Sequence, residues 1–261
     1  MQPLDPVIRW PAEAIWEAVS PRVPDFSVEV VAQIDSTNSE LMRRARAGQT
    51  DPVLLVAETQ NAGRGRLGRD WVSRRGDSLT FSLGLPLQPK DWSGLSLAVG
   101  LNLAESLHPQ VGLKWPNDLW IHGCKLGGIL IEAASTGGQS YVVIGVGLNI
   151  HRQPPDGLRT PPAALSDWLA GVTAAETLGR VAAPLVQAVH DFAVSGFAPL
   201  QSRFHARDVL QGLNVVTSDG VEGLAQGVSA NGSLQIQTPT GVIRINSSEV
   251  SVRPATQKEN S

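Results

Sequence analysis

Cysteine is almost missing from this chain. Cys124 stands alone in 261 residues, so no disulfide forms within it and a reducing, cytoplasmic setting is expected. Lysine is scarce too, confined to Lys90, Lys114, Lys125 and Lys258. No apolar run approaches the roughly 20 residues that a membrane helix needs, which excludes a helical span. The N-terminus lacks a basic stretch followed by an apolar one, so secretion is not expected. There is no excess of positive charge either; a net charge of −3 and a pI near 6.0 argue against a broad nucleic-acid-binding face. The first 26 residues hold Pro3, Pro6, Pro11, Pro21 and Pro24, leaving room for one short helix near 11–19 and not for a helix-turn-helix. DNA is therefore not an expected partner.

Basic charge, sparse overall, is concentrated in one place. Residues 61–76 read NAGRGRLGRDWVSRRG and set Arg64, Arg66, Arg69, Arg74 and Arg75 against a single acid, Asp70. Gly63, Gly65, Gly68 and Gly76 keep that backbone mobile and let it pass close to a ligand. Guanidiniums spaced by glycines suit the wrapping of a phosphate- or carboxylate-bearing small molecule, although a solvated Arg-rich turn has the same composition. Residues 63–68 also fit the dinucleotide fingerprint G-x-G-x-x-G after a strand-like run, Val53–Ala57. That fingerprint requires a helix directly after its glycines. Residues 77–85 instead alternate apolar side chains at 79, 81, 83 and 85, which predicts a strand.

Along the rest of the chain, 27–34 predicts a strand ending at Asp35-Ser36-Thr37-Asn38. Thr37 with Glu40 forms a capping-box pattern that opens a helix stopping at Gly48. Residues 93–108 predict a buried helix, 111–115 a strand running into Pro116-Asn117-Asp118, and 119–121 with 125–132 a hairpin about His122-Gly123. Residues 141–150 predict a buried strand whose Gly145 and Gly147 leave room for a close approach by ligand or backbone. A Pro-rich connection over 151–170 carries a short helix at 163–169. Helical periodicity over 174–195 meets Pro184, which is expected to kink or divide it. Phe197, Leu200 and Phe204 give a further helical face, and His190 and His205 are expected to be exposed or capping. After residue 208, turn signals at Asp219-Gly220, Asn231-Gly232 and Thr240-Gly241 predict a small β-barrel. Its expected core is Val215, Val216, Leu224, Val228, Leu234, Ile236, Val242, Ile243, Ile245, Val250 and Val252. Cys124 reads as a small filler beside Lys125. Lys125 lies in an otherwise apolar strand, where an ammonium is costly to bury without an anionic partner.

Four stretches in this order, GRGRLGR at 63–69, KWPNDLW at 114–120, KLGGILIE at 125–132 and VIGVGLNI at 143–150, closely resemble the biotin protein ligases. The resemblance covers roughly residues 30–253. It implies an α+β fold: a mixed β-sheet catalytic domain of the biotin/lipoate ligase type, similar to class II synthetases, with a small SH3-like β-barrel domain. The expected division is an N-terminal extension at 1–26, a catalytic biotin- and ATP-binding domain at 27–208, the barrel at 209–254 and a disordered tail at 255–261. The implied reaction activates biotin with ATP and Mg²⁺ to biotinyl-5′-AMP. Biotin then passes to a lysine of the biotin carboxyl carrier domain of acetyl-CoA carboxylase. The enzyme would be a monomer or homodimer with no tightly bound prosthetic group.

Site residues follow from the same resemblance. Lys125 and Arg66 are the implied catalytic groups, Lys125 bridging the biotin carboxylate and the α-phosphate. Biotin would meet Ser36, Thr37, Asn38, Gln60, Gly63, Arg64, Arg66, Lys125 and Gly128. ATP and the adenylate would meet Arg64, Arg66, Arg69, Trp71, Lys114, Asn117 and Asn149, with Asp118 helping to hold Mg²⁺. Two other readings stay open: a lipoate or octanoate ligase, and a non-catalytic biotin-binding regulator. GRGRLGR with Ser36-Thr37 points to biotin, and retention of Lys125 points to catalysis.

Overall fold

The computed structural model of the chain describes residues 7–136, 138–153, 160–246 and 250–255. The expected tail beyond 255 and much of the Pro-rich connection lie outside them. In chain order the elements are α1 (Ala12–Val19), β1 (Ser27–Ile34), α2 (Thr37–Arg46), β2 (Val53–Gln60), β3 (Ser78–Pro86) and α3 (Leu95–Leu107). Then come β4 (Gly112–Lys114), β5 (Asp118–Ile121), β6 (Cys124–Thr136), β7 (Gln139–Asn149), α4 (Ala174–Ser195) and α5 (Gln201–His205). The last five strands are β8 (Asn214–Thr217), β9 (Glu222–Val228), β10 (Leu234–Thr238), β11 (Gly241–Ile245) and β12 (Val252–Pro254). They make a seven-stranded sheet, β1-β2-β3-β7-β6-β5-β4, and a five-stranded sheet, β11-β10-β9-β8-β12. Only β1 and β2 pair in parallel; the other strand pairs are antiparallel, so the large sheet is mixed.

Period-two alternation gives the large sheet two unlike faces. Leu79, Phe81, Leu83 and Leu85 of β3, with Val142, Ile144, Val146 and Leu148 of β7, enter the main core together with α1, α3 and α4. The opposite face of the same strands carries Thr80, Ser82 and Gly84, and Gly145 and Gly147. At one end α2 covers that face, packing Leu41, Met42 and Ala45 on Val53, Leu55, Tyr141 and Val143. The remainder stays open as a floor of small and polar side chains.

Several expectations change. The cap of α2 is Ser36, whose hydroxyl accepts from Ser39 N, and not Thr37. Thr37 is buried, and Glu40 is taken by Arg43 and Arg44. The helix expected at 163–169 is a single 3₁₀ turn, Leu165–Asp167. α4 runs undivided through Pro184, because Val181, Leu185, Val189 and Phe192 bury its inner stripe while the proline lies on the exposed side. Thr173 and Glu176 cap it reciprocally. His205 is half-buried: its Nε2 lies 3.0 Å from both the N and the O of Val228.

The five-stranded sheet is not closed into a barrel, since β11 and β12 do not pair. Gly220, Gly232 and Gly241 take the positive φ that its turns require. Leu224, Val242 and Ile243, expected in its core, are exposed. Leu224 and Val242 flank Gln237 on one outer row. Val215, Ala225, Val228, Leu234, Ile236, Ile245 and Val252 point the other way and join the main core. That core is continuous between the sheets. Trp115 Nε1 donates to Gly232 O at 3.0 Å across the junction, and Gln201 Nε2 donates to Val228 O at 2.7 Å.

The chain leaves the large sheet along β4. Leu113 N donates to Arg207 O at 2.8 Å, and Val209 N donates to Leu113 O at 3.0 Å. Between them, Asp208 Oδ1 accepts from Leu210 N at 2.9 Å, whereas Oδ2 is buried without a hydrogen-bond partner. Burial pushes this carboxyl from 3.8 up to about 6, opposed by the Leu210 N–H and by His205. Between those pH values the folded chain keeps a proton that the unfolded chain has released. Stability is therefore lost as pH rises through that window. Asp208→Asn keeps an acceptor for Leu210 and removes the buried charge. Its stability should match the parent near pH 4 and exceed it above pH 6, by up to about 3 kcal/mol. Denaturant unfolding at both pH values reads the gap; a pH-independent gap would show that Asp208 does not titrate in this way.

Candidate functional site

The open face of the sheet becomes a cleft where α2, the 61–76 segment and β5–β6 meet around it. At one end, Thr37 N and Oγ1 both donate to Gln60 Oε1, at 2.7 and 3.2 Å. Ser82 Oγ lies 2.7 Å from Thr37 Oγ1 and 2.6 Å from Asn38 Oδ1. Asn38 Nδ2 donates to Leu130 O and to Glu132 Oε2. Ser36, Thr37, Asn38 and Ser82 are buried, and each is held by protein partners. This end offers short neutral donors and acceptors, suited to a compact uncharged polar ring.

The basic segment forms a small hairpin. Trp71 N donates to Gly63 O at 2.8 Å, Gly65 N donates to Arg69 O at 2.7 Å, and Arg64 bridges Asp70 antiparallel. Leu67 and Gly68 turn it with φ of 58 and 68°, the signs of a primed hairpin turn. Alternation then carries Arg64 and Arg66 to one side. Arg66 Nη1 donates to Asn117 Oδ1 at 3.2 Å and Nη2 to Val250 O at 3.5 Å, so it reaches both sheets. Trp71 rests on β7, where a Cβ added at Gly147 would lie 2.8 Å from its Nε1. A Cβ at Gly145 would strike the Asn38 amide. The room left by these glycines is thus occupied in part by protein side chains, and both glycines still line the cleft.

Lys125 depends on an irregularity. Simple alternation along β6 would place it with Gly127 and Ile129 on the core face. The register against β5 skips one residue, Asp118↔Gly128 and Leu119↔Gly127 giving way to Trp120↔Lys125. That β-bulge at Leu126 turns Lys125 onto the cleft face beside Asp118. Lys125 Nζ lies 2.7 Å from Asp118 Oδ1. Gly128 lies beside the pair, where a Cβ would be in ordinary contact, 3.4 Å from Nζ and 3.6 Å from Oδ1. The Lys125 backbone is fixed as well: its N donates to Pro161 O and its O accepts from Ala163 N. Asn149 Nδ2 donates to Lys125 O at 3.3 Å and to Ala163 O at 3.0 Å.

These parts enclose one cavity of about 520 Å³. Of the residues expected at the site, it collects Ser36, Thr37, Asn38, Gln60, Arg64, Arg66, Arg69, Trp71, Lys114, Asn117, Asp118, Lys125 and Gly128. Gly63 and Asn149 are not in its wall; Gly63 closes the hairpin and Asn149 supports Lys125 from behind. Asp118 and Asp70 are the acids of the wall, against Arg64, Arg66, Arg69, Lys114, Lys125 and Arg253. Burial lowers the Lys114 ammonium pKa; Asp118 opposes the shift, and Lys125 and Arg69 add to it. Burial acts in the same direction on Arg66. Lys114 also stacks over Trp120, 4.7 Å from the ring centroid. Cations crowded and partly desolvated in this way are relieved by an anion carrying several charges.

Sequence reasoning missed the far wall, made by Thr217, Ser218, Ser251 and Arg253 of the five-stranded sheet. No local motif marks these residues; only the docking of the second sheet brings them in. It also missed Ser82, although a serine between core residues of an alternating strand is the kind of signal that could reveal it. Among the described residues no cluster of three or more His, Cys, Asp or Glu side chains could hold a metal by itself.

Residues 30–149 match the biotin/lipoate A/B protein ligase family, and residues 214–253 match the biotin protein ligase C-terminal domain. The biotin–[acetyl-CoA-carboxylase] ligase of Mycobacterium tuberculosis is 41% identical over 173 residues, a match that spans 61% of each chain. The enzyme of the same name from Paracoccus denitrificans is 30% identical over 240 residues, covering 85% of this chain and 98% of its own. Among solved structures, the Aquifex aeolicus biotin protein ligase in complex with biotin and ATP superposes with a TM-score of 0.75 at 27% identity. It covers 87% of this chain and 99% of its own.

The seat of Trp71 on Gly147 yields a direct test. Gly147→Ala should push the indole off β7 at a cost of about 1–3 kcal/mol. Trypsin should then cleave after the hairpin arginines markedly faster than in the parent. Equal cleavage rates would mean that the hairpin does not rest on that contact.

Proposed function

The chain belongs to the biotin/lipoate A/B protein ligase family, and on that premise we propose that it activates biotin with ATP and transfers it to a carrier protein. The observation that carries this reading is a single cleft with a neutral, hydrogen-bonding end and a cation-rich end, joined at Lys125. Biotin's ureido ring suits the first, with its carboxylate directed at Lys125. The triphosphate suits Arg66, Arg69 and Lys114. A carboxylate oxygen of biotin attacks the α-phosphorus, the bond to the β-phosphate oxygen breaks, and pyrophosphate leaves. The product is the mixed anhydride biotinyl-5′-AMP.

Catalysis of this step is positioning and charge stabilisation. Lys125 neutralises charge on the carboxylate and α-phosphoryl oxygens, and Asp118 holds it in place until they arrive. Asp118 is also the wall carboxylate that, with phosphate oxygens, would complete the shell of an ATP-bound Mg²⁺. Such an ion would offset charge on the departing pyrophosphate. Arg64 and Arg66 retain the adenylate. The carrier lysine then attacks the anhydride carbonyl and AMP departs, so this chain needs no nucleophile of its own. Cys124, half-buried against the core, takes no part.

The carrier in this reading is the biotin carboxyl carrier domain of acetyl-CoA carboxylase. Catalysis is assigned to residues 27–208 and a supporting role to 209–254, in a cytoplasmic monomer or homodimer that binds no DNA. No helix among the described residues is long and apolar enough to cross a membrane.

Purified protein should exchange labelled pyrophosphate into ATP only with biotin and Mg²⁺ present, and should label a carrier domain. Exchange driven by lipoate or octanoate instead would overturn the choice of substrate. Lys125→Ala should lower exchange by about 100-fold or more. Lys125→Arg should also lose most activity, because a planar fork does not replace a point charge. Near-parental exchange in Lys125→Ala would remove Lys125 from the mechanism.

A further inference from the structure

Glu132 closes the KLGGILIE stretch, lies outside the cavity wall, and has no part in the chemistry above. Its Oε2 nevertheless accepts two hydrogen bonds: from Arg64 Nη2 at 2.6 Å and from Asn38 Nδ2 at 2.9 Å. Arg64 belongs to the hairpin and Asn38 to the start of α2, so one carboxylate oxygen ties two separate segments of the wall to β6. The Asn38 amide can sit only one way round. Leu130 O and the Glu132 carboxylate are acceptors without protons, which directs Nδ2 to them and Oδ1 to Ser82.

The network continues from there. Ser82 has one proton to give, to Asn38 Oδ1 or to Thr37 Oγ1. When Asn38 receives it, the Thr37 hydroxyl is left to donate to Gln60 Oε1 at 3.2 Å or back to Ser82. A continuous run of hydrogen bonds therefore joins Arg64, at the charged end, to Thr37 and Gln60, at the neutral end. An ordinary exposed ion pair would contribute little. Here the Glu132 side chain is only 25% exposed, and its paired oxygen is shared with a buried amide.

We propose that Glu132 is a positioning residue that holds Arg64 over the cleft and Asn38 in register through the same oxygen. It thereby links occupation of the neutral end to retention of the adenylate. This rests on the functional reading above and extends it to a residue that does not touch the substrate.

Glu132→Gln separates the two contacts, because a glutamine oxygen still accepts from Asn38 while the charge opposite Arg64 is gone. The biotin dissociation constant should stay within about twofold of the parent. The rate at which preformed biotinyl-5′-AMP escapes should rise roughly threefold to tenfold, the range of a half-exposed charge-assisted contact. Trypsin should cleave faster after Arg64 in the ligand-free protein. Glu132→Ala removes both contacts and should weaken biotin binding as well. In an Arg64→Ala background, Glu132→Gln should add nothing to the escape rate. The proposal falls if Glu132→Gln holds its adenylate as long as the parent does, or if it speeds escape equally without Arg64. The parent's own biotin-dependent exchange keeps the two readings apart. Its absence overturns the activity, whereas normal exchange with an unaltered Glu132→Gln overturns only the role of Glu132.

Discussion

The ion pair between Lys125 and Asp118 is the constraint around which the cleft is built. The Lys125 ammonium, carried on the otherwise apolar strand β6, meets a carboxylate, and that carboxylate sits on the neighbouring strand β5. Regular pleating would direct the two side chains to opposite faces. The bulge at Leu126 resolves the conflict by giving Leu126 to the core and Lys125 to the cleft. A bulge interrupts the ladder, and the chain replaces what is interrupted from elsewhere. Pro161, Ala163 and Asn149 take up the Lys125 peptide groups, so the connection after β7 is bound to the Lys125 segment.

A second constraint is the difference between the faces of β3 and β7. The face towards α3 and α4 is filled with large apolar side chains and supplies much of the burial that stabilises the sheet. The other face gives up that burial beyond α2, and Thr80, Ser82, Gly145 and Gly147 leave a hollow. Two protein groups then enter it, the Asn38 amide over Gly145 and the Trp71 indole over Gly147. The floor is thus furnished by the segments that also form its walls. This explains how a hairpin with three glycines acquires a fixed seat.

Much of this was legible in the sequence, for reasons that differ by element. The large strands carry strong periodicity, α3 is marked by its apolar length and the Pro109 stop, and the C-terminal turns carry Asp-Gly, Asn-Gly and Thr-Gly. The four motif stretches place most of the wall. Features set by register or by tertiary docking were harder to see. Nothing local distinguishes a bulge at Leu126 from continuous pleating, so an anionic partner for Lys125 could be required but not named. The hairpin of 63–71 carries no local signal, because Leu67 is an unusual residue for the left-handed region its turn demands. The α2 cap slipped by one residue because Ser36 and Thr37 are chemically equivalent at that position. Gln60, 23 residues away, decides between them by claiming Thr37. Backbone chemistry alone makes Pro184 a helix breaker, and the buried stripe of α4 outweighs it.

The five-stranded sheet shows why the far wall could not be read from any one stretch. Its inner row of Val215, Ala225, Val228, Leu234, Ile236 and Ile245 is too short to be a self-sufficient core, and it merges with that of the large sheet. Trp115, directly before the Pro116-Asn117-Asp118 turn, is clamped by Gly232 of the second sheet. The turn that supplies Asn117 and Asp118 to the cleft is therefore backed by that sheet. Arg66 reaches the same boundary from the other side through Val250 O. Thr217, Ser218, Ser251 and Arg253 complete the wall on the side of the cation-rich end. Movement of this sheet would alter Trp115, the 116–118 turn and the seat of Arg66 together. The second sheet thus acts on the geometry of the charged end without supplying Lys125 or Asp118.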